Sequence, residues 1–319
     1  MIAPDLPTIS VVIPAFNEED LIGRAIDSVL RQTIPPLEII IVDDGSTDTT
    51  GDIVKSKYVA PIGVVKYIYQ NNRGLAAARN TGIAHSKGDF VAFLDSDDEW
   101  NGEFIEKSTN VLASNPDLKW CISGYERRSD DGSTEFIRVV PPALVNNSII
   151  DNYFAVESKI HISIVNTTII KRSILNELGG FDEQIAKHGE DLDLWFRVAL
   201  ADRRVGYVDY IGSVYWKRKG SITSGQRISV QEMITRMLKA EAHAYAKGLS
   251  ATEIVAPLIA DWGRQCIKRM VYYADKPGAK SIFRLYFGKL HNRERIILIA
   301  ALLLPQQILA AMSKYRYQK

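Results

Sequence analysis

Three aspartates stand close together in the stretch GDFVAFLDSDDEW. Asp95, Asp97 and Asp98 follow the apolar run Phe90–Leu94, although their like charges repel one another. A solvated turn is one explanation, and a cation shared by the carboxylates is another. Carboxylate oxygens suit Mg²⁺ and Mn²⁺, which usually take further ligands from water or a substrate phosphate. The pattern therefore predicts a cation bound together with a diphosphate, although Asp98 and Glu99 also suit the start of a following helix.

A second pair of acids, Asp43 and Asp44, follows the apolar run Ile39–Val42. Gly45 permits a turn, and the hydroxyl and acid side chains of residues 46–48 suit the cap of the next helix. Capping accounts for the later part of DDGSTDTT but not for an acid directly behind a buried strand. Two interpretations of Asp43 follow: a capped turn, or a carboxylate that accepts hydrogen bonds from a nucleotide base or ribose.

An arginine and a third acidic group complete the candidate chemistry. Arg79 lies on an alanine-rich face of the helix that RGLAAARNTG predicts. A helix start with an arginine suits a phosphate anion, although an exposed surface arginine fits equally well. In KHGEDLDLWFRV, Glu190 and Asp191 precede an apolar helical stripe. They suit either the dipole of a helix N-terminus or a carboxylate base that takes a proton from a hydroxyl.

The elements that must position these residues alternate between two periods. Strands are predicted at four apolar, β-branched runs: Ile9–Ile13, Ile39–Val42, Val64–Tyr69 and Phe90–Leu94. Helices are predicted between them at about 18–31, 48–58 and 74–86. This alternation predicts a parallel sheet with right-handed crossovers and helices on both faces. The polar strand ends would then meet at one edge, where ligands bind open α/β sheets.

The pattern changes after residue 117. The later elements are an Asp-Gly hairpin over 117–140, a strand at Asn166–Ile170, a helix from about Glu190 and short strands over 205–217. Four further helices are predicted at 229–247, 252–274, 279–290 and 292–313. We therefore expect an α/β domain at 1–224 and a helical region at 225–319.

Composition excludes several classes of protein. The 319 residues are 46% hydrophobic and 24% charged, and the formal net charge of +1 gives no field that favours nucleic acid. Cys121 and Cys266 lie far apart without a metal or disulfide pattern, which predicts reduced thiols in a cytoplasmic protein. No signal peptide is expected from the N-terminal residues. The signatures GxGxxG and GxxxxGK[ST] are absent, which argues against dinucleotide and P-loop binding.

Six segments resemble, in this order, the family 2 glycosyltransferases of the GT-A fold: SVVIPAFNEE, IIIVDDGSTD, NRGLAAARNTG, FVAFLDSDD, GGFDE and GEDLDLWFRV. The resemblance implies an α/β protein with a Rossmann-like, mostly parallel sheet flanked by helices, and a helical C-terminal extension. It also implies an inverting enzyme that transfers a sugar from a nucleotide donor, usually a UDP-sugar, to a hydroxyl acceptor. The QxxRW motif of processive synthases is missing, which favours transfer of a single sugar.

The resemblance also implies roles for individual residues. The residues implied to bind the donor are Pro14, Ala15, Asn17, Glu18, Asp43, Asp44, Arg79, Asn80 and Asp95. Among them Asp43 matches the acid that contacts the nucleotide base, and Asp95 and Asp97 match the DxD motif. Asp97 is the better candidate for direct contact with the metal. Asp191 matches the general base, with Glu190 beside it at the acceptor.

One position departs from the family pattern. Many members carry a histidine that adds a metal ligand in a YRxHxxS-like segment. Here the segment is VYWKRKGSITS: Arg218 falls at the histidine and Trp216 replaces a common arginine. An arginine has no lone pair for a metal. Arg218 is expected to contact the leaving diphosphate directly, or to belong to a solvated basic loop. The DxD motif implies a Mg²⁺ or Mn²⁺ cofactor, and Arg218 argues against an absolute requirement for it.

The C-terminal segment IILIAALLLPQQILAAM has basic flanks, which suits the surface of an anionic membrane. Packing against the first domain is the simpler alternative. Peripheral attachment would bring the active site to a glycan or lipid-linked acceptor, with the protein in the cytoplasm at the inner face of the cell membrane. Two other functions stay open: a noncatalytic nucleotide-sugar binding protein, and a nucleotidyltransferase, against which the acidic loop PAFNEED argues.

Overall fold

The computed structural model describes residues 6–59, 63–160, 162–185 and 189–218, with isolated positions between 239 and 303. The chain divides into two compact units, Met1–Val156 with Ile160–Gly225, and Glu157–Lys159 with Gln226–Lys319. Nearly all the described residues belong to the first unit. Apart from isolated positions, the helices expected after residue 228 and the basic-flanked segment lie outside the described residues.

The described strands form one mixed sheet. They are β1 (Ile9–Ala15), β2 (Glu38–Asp43), β3 (Val65–Tyr69), β4 (Phe90–Phe93), β5 (Glu99–Trp100), β6 (Trp120–Ser129), β7 (Thr134–Arg138), β8 (Ile149–Ile150), β9 (Thr168–Lys171) and β10 (Val205–Lys217). Their order is β3-β2-β1-β4-β9-β6-β10-β5, with β7 beside β6 and β8 beside β10. The first four are parallel, as the sequence predicted, and β9 runs antiparallel between β4 and β6.

The helices cover this sheet. They are α1 (Ile22–Leu30), α2 (Thr50–Ile53), α3 (Leu75–His85), α4 (Phe104–Ser114), α5 (Tyr153–Ile160), α6 (Arg172–Leu178) and α7 (Glu190–Ala201). The helix predicted at 48–58 is α2 continued by a π-helical segment, Val54–Val59. Helix α4 was not predicted, because the buried Ser108 and Thr109 interrupt its apolar stripe. Within the described residues, no helix has the length and apolarity to cross a membrane.

Strand β2 shows why the sheet is covered on both faces. Ile39 and Ile41 pack into one apolar cluster with α1, whereas Ile40 and Val42 pack on the opposite face with Ala78 of α3. All five side chains are fully buried. Successive side chains of a strand point to opposite faces, so a continuous apolar run requires a helix on each side.

Helix α3 lies close against β1. A Cβ added to Gly82 would lie 2.2 Å from Cγ1 of Val12, so only glycine permits this separation between helix and strand. Ala76, Ala77 and Ala78 are buried on the same helix. The alanine-rich face noted in the sequence therefore seats the helix against the sheet.

The predicted elements of the second half are present with shifts, but the short strands predicted over 205–217 are one strand, β10, and α5 was not predicted. The hairpin is present as β6 and β7, joined by a turn at Gly132, whose φ is +81°. Residues Val165–Thr167 form a 3₁₀ turn, so the strand predicted at Asn166–Ile170 begins only at Thr168. Helix α7 begins at Glu190, as predicted.

Candidate active site

The carboxyl ends of β2, β1 and β4 bring the predicted donor residues to one edge of the sheet. Ala15 of β1 is paired with Asp43 of β2, and the N–H of Asp44 donates to the carbonyl of Ala15. On the other side of β1, Val12 is paired with Phe93, directly before the aspartate-rich segment. Pro14 and Ala15 are part of β1 itself, so their backbone forms this edge.

The acid turn, residues 95–98, gathers three carboxylates. One oxygen from each of Asp95, Asp97 and Asp98 lies within 4.8 Å of the others. Asp98 does not act as a helix-start acid, because the next helix begins at Phe104 and Asp98 is fully buried. Its oxygens accept the backbone N–H of Trp216 at 2.7 Å and the side-chain amide of Asn166. Burial, followed by the neighbouring acids, raises the pKa of Asp98 well above its ordinary value.

Arg79 joins the acid turn to α7. Its two terminal nitrogens donate to Asp95 Oδ1 and to Glu190 Oε1, each at 2.7 Å, and its guanidinium lies 5.3 Å from the centre of the Phe181 ring. The side chain is only 2% exposed, which excludes the surface arginine considered from the sequence. Burial opposes its charge, but the two carboxylates outweigh burial and raise the pKa of Arg79. Because its two terminal nitrogens bind Asp95 and Glu190, Arg79 fixes the positions of both acids and also supplies a positive charge between them.

The acid pair, Glu190 and Asp191, begins α7 after Gly189, whose φ is +88°. Asp191 Oδ1 accepts the N–H of Leu192 at 2.8 Å. Burial is the largest cause that raises the pKa of Asp191 to about 7, and the charge of Glu190 adds to it, while Arg79 opposes both. A carboxyl with that pKa is well matched to proton transfer near neutral pH.

The loop after β1, which contains Asn17 and Glu18, is linked to the acid turn through Arg218. Glu18 pairs with Arg218, whose terminal nitrogen lies 3.2 Å from Glu18 Oε1 and also donates to Asp97 Oδ2 at 2.5 Å. Asn17 has a φ of +54° and accepts the backbone N–H of Thr47 at 2.8 Å. The loop is therefore tied both to the segment after β2 and, through Arg218, to the acid turn.

Asp43 and Asp44 have different surroundings. Asp43 accepts the Ser46 N–H at 2.8 Å and the Tyr67 hydroxyl at 2.5 Å. Asp44 accepts the backbone N–H groups of Arg73 at 2.9 Å and Gly74 at 2.8 Å. Asp44 thus holds the loop between β3 and α3 in place. The contacts of Asp43 are instead with the turn directly after β2 and with β3.

Asn80 fixes the GGFDE segment. Its side-chain oxygen accepts the Phe181 N–H at 2.8 Å, and its amide donates to the Phe181 carbonyl at 2.9 Å and to Glu183 at 3.0 Å. Gly180 has a φ of +67°, and a Cβ there would lie 2.4 Å from Asn80 Oδ1. Asn80 therefore supports the Phe181 ring that packs beside Arg79.

These contacts connect most of the predicted site. An unbroken series of ion pairs and chain neighbours runs through Asp191, Glu190, Arg79, Asp95, Asp97, Arg218 and Glu18. Asp43, Asp44 and Asn17 form a neighbouring group at the end of β2. Asp43, Asp97 and Asp191 therefore do not lie on scattered faces of the protein.

Sequence reasoning missed three residues that shape this site: Arg24, Asn166 and Tyr67. Arg24 of α1 donates to the Asp97 carbonyl and stacks on Trp216, whose ring centre lies 4.7 Å from the guanidinium. Asn166 donates to Asp98, and its side-chain oxygen accepts the Asp95 N–H at 2.8 Å, while Tyr67 donates to Asp43. The available signal was weak: a charged residue within an amphipathic helix, and polar or aromatic residues beside apolar runs.

The acid turn suits a divalent cation in its donor chemistry. Asp98 uses both oxygens for N–H donors, but Asp95 and Asp97 each accept a single side-chain donor among the described residues. Each of them keeps a second oxygen that a cation could use. Two carboxylate oxygens with water and substrate phosphates match the coordination of Mg²⁺ or Mn²⁺.

Comparison with known proteins identifies the family. Residues 10–179 match the family model described as glycosyl transferase family 2, and the chain belongs to this family. The uncharacterized glycosyltransferase EpsJ of Bacillus subtilis is 36% identical over 146 residues, which cover 46% of this chain and 40% of EpsJ. The glycosyltransferase GlyA of Streptococcus pneumoniae is 29% identical over 223 residues, covering 67% of this chain and 31% of GlyA. The chain thus spans less than half the length of these relatives.

Solved structures share the fold. The S. aureus TarS fragment 1–349 in complex with UDP has a TM-score of 0.70 and 18% identity, covering 98% of this chain and 92% of TarS. The same fragment with UDP-GlcNAc has a TM-score of 0.64 at 20% identity, with the same coverage. The GT-A fold predicted from the sequence is confirmed.

Proposed function

We propose that the protein is an inverting glycosyltransferase that moves a single sugar from a UDP-sugar to a hydroxyl acceptor. The observation that carries the proposal is Asp191: a carboxyl with a pKa of about 7, joined through Glu190 and Arg79 to the acid turn. The family is defined by glycosyl transfer, and this arrangement supplies both a base and a charged site for the donor.

In the proposed reaction, Asp191 takes the proton of the acceptor hydroxyl as its oxygen attacks the anomeric carbon. The bond from that carbon to the diphosphate breaks on the opposite face, so UDP leaves and the configuration inverts. Arg79 holds Glu190 beside Asp191, and the negative charge of Glu190 raises the pKa of Asp191. General-base assistance of this kind is worth about 10²–10⁴ in rate.

Asp43 is proposed to contact the nucleotide base, with Pro14, Ala15, Asn17 and Asp44 shaping the same edge. The TarS complexes with UDP and UDP-GlcNAc support a uridine nucleotide. Asp97 and Asp95 would hold Mg²⁺ or Mn²⁺, which when bound supplies positive charge to the leaving diphosphate. Arg79 is proposed to hold Asp95 in place, and Asn80 to support Arg79 through the Phe181 ring.

The acceptor is proposed to be a glycan or a lipid-linked sugar in the synthesis of cell-surface polysaccharide, lipopolysaccharide or a glycoprotein glycan. Peripheral attachment through residues 291–319 would place the enzyme at the inner face of the cell membrane. Sedimentation with anionic vesicles tests this attachment. Equal binding by the full chain and by a chain ending at 290 contradicts it.

The decisive experiment for catalysis is Asp191→Asn. We expect kcat to fall about 10³-fold, since the amide cannot accept the proton, while the Kd for UDP changes less than about twofold. UDP release from a panel of UDP-, GDP- and dTDP-sugars measures turnover, and calorimetry measures UDP binding. Asp209→Asn, an exposed aspartate of β10, is the matched control and should retain wild-type turnover.

Other outcomes of the same panel identify the alternatives. UDP binding by the wild type without transfer or hydrolysis of any nucleotide-sugar points to a noncatalytic binding protein. Release of diphosphate from a nucleoside triphosphate and a sugar phosphate points to a nucleotidyltransferase. Near-normal turnover by Asp191→Asn shows that another group is the base.

A further inference from the structure

Arg218 already places a positive charge on the acid turn. Its terminal nitrogen donates to Asp97 Oδ2 at 2.5 Å and to Glu18 Oε1 at 3.2 Å, so one guanidinium pairs with an acid of the acid turn and with an acid of the loop after β1. The side chain is 27% exposed, and Asp97 is 23% exposed. The contact is therefore partly shielded from water, which strengthens it relative to a surface pair.

Arg218 directly follows β10, and the chain is held two residues earlier, at Trp216. The backbone N–H of Trp216 donates to Asp98, and its indole N–H donates to Glu99 at 3.1 Å. Arg24 stacks on the Trp216 ring and also donates to the Asp97 carbonyl. These contacts hold the end of β10 beside the acid turn, so the position of Arg218 is built into the fold.

A guanidinium and a divalent cation compete for the same carboxylate. Arginine only donates, and two positive groups on Asp97 repel each other. Glu18 gives Arg218 a second acid, which lets it release Asp97 without becoming unpaired. The Arg218 Nε is buried and has no hydrogen-bond partner among the described residues, so one N–H of the guanidinium is left unused.

We propose that Arg218 is a built-in cation of the acid turn: it occupies Asp97 when no donor is present and yields it to a divalent cation as it turns to the donor's diphosphate. Only the second half of this proposal, in which Arg218 turns to the diphosphate, rests on the proposed UDP-sugar donor. A diphosphate is a strong partner for arginine, because it offers paired oxygens to the planar guanidinium. The same side chain therefore weakens metal binding and strengthens nucleotide binding in the absence of metal.

Two measurements on Arg218→Gln in the full chain give opposite signs. Titration with Mn²⁺ alone, followed by electron paramagnetic resonance, should show about tenfold tighter binding than the wild type, since a competing charge is removed. Calorimetry with UDP in EDTA should show about tenfold weaker binding, since a diphosphate contact is lost. A general loss of folding would weaken both.

Two further variants calibrate this result. Arg218→Lys retains the charge, and its Mn²⁺ affinity should stay within about threefold of the wild type. Arg204→Gln removes an arginine that pairs only with nearby Asp202 in the described structure, and it should change neither measurement.

The proposal is overturned if Arg218→Gln binds Mn²⁺ no more tightly than the wild type, including the case in which neither protein binds it. Unchanged UDP affinity in EDTA overturns the second half. Failure of both proteins to bind UDP counts against the proposed donor, and the Mn²⁺ titration still decides whether Arg218 competes with the cation.

Discussion

The acid turn and the acid pair are both rich in carboxylates, yet their partners differ. In the acid turn Asp95 is paired with Arg79, Asp97 with Arg218, and Asp98 with two N–H donors. In the acid pair Arg79 holds Glu190, whereas Asp191 accepts a backbone N–H at the start of its own helix. Each acid of the acid turn has its own donor, whereas Asp191 of the acid pair has no ion pair among the described residues.

This difference matches the two tasks that the site is proposed to perform. Carboxylates that bind a cation must be ionised, and Arg79 favours that form of Asp95, although burial, the largest cause, still raises the pKa of Asp95 above its ordinary value. A base must gain a proton during the reaction, so it benefits from burial and from a neighbouring acid. Arg79 contacts both groups, so its replacement tests whether they depend on one shared positive charge.

The largest effect is expected for Arg79→Met. Loss of the guanidinium leaves Asp95 and Glu190 without their shared cation, and breaking such a buried pair costs about 3–5 kcal/mol. Urea unfolding measures the free energy. Arg73→Met is the control, because its ion pair with Glu183 is exposed and worth about 0–1 kcal/mol. Equal losses in the two variants would show that Arg79 does not hold the groups together.

A smaller effect separates the acid pair from the acid turn. The pKa of Asp191 is about 7 in the folded protein against 3.8 ordinarily, so the folded state binds more protons between these values. Wild-type stability should therefore fall as pH rises through this window. Since Asp191→Asn removes the charge, its stability relative to the wild type should rise by about 1–2 kcal/mol from pH 5 to pH 8, after allowing for partial exposure.

Urea unfolding of both proteins at the two pH values checks this prediction, with Asp209→Asn as an exposed control whose effect should not depend on pH. A constant difference between Asp191→Asn and the wild type would mean that Asp191 titrates normally.

The smallest effect is expected for Glu190→Gln, in the pH dependence of kcat/KM. In the wild type kcat/KM should rise with pH through about 7 as Asp191 loses its proton. Glu190→Gln should move this rise to lower pH by about one unit, since it removes a negative charge that raises the pKa of Asp191. The exposed Glu177→Gln on α6 should leave the profile in place. A profile that moves to higher pH would assign the rise to a different group.

The sequence predicted the parallel half of the sheet well, because local information defines it. Strands β1 to β4 are continuous apolar runs, and their polar ends must meet once the strands are parallel. The four-residue strand β9 was placed two residues early, since Val165 and Thr167 of the preceding 3₁₀ turn are β-branched residues that also favour strands. Helix α4 was missed because Thr109 satisfies its hydroxyl on the Ile105 carbonyl, which is invisible to hydrophobic periodicity.

The site was predicted as a set of residues but not as a set of partners. Asp98 was considered as a cation ligand or as an acid near a helix start, and its actual partners Asn166 and Trp216 lie far along the chain. The pairing of Arg218 with Glu18 joins residues 200 positions apart. Such contacts depend on how β10 is seated in the sheet, which no local pattern encodes. The individual roles in binding and catalysis stay predictions.

The missing side chain at Gly82 has a consequence beyond helix packing. Arg79 lies one turn before this glycine, and its reach to Asp95 and Glu190 depends on how far α3 stands from β1. A methyl group at position 82 would lift the helix and pull a single side chain away from two acids at once. The position of Arg79 beside its two acids thus depends on the absence of an atom outside the site, and a change at Gly82 would weaken both ion pairs while every acid remained in the sequence.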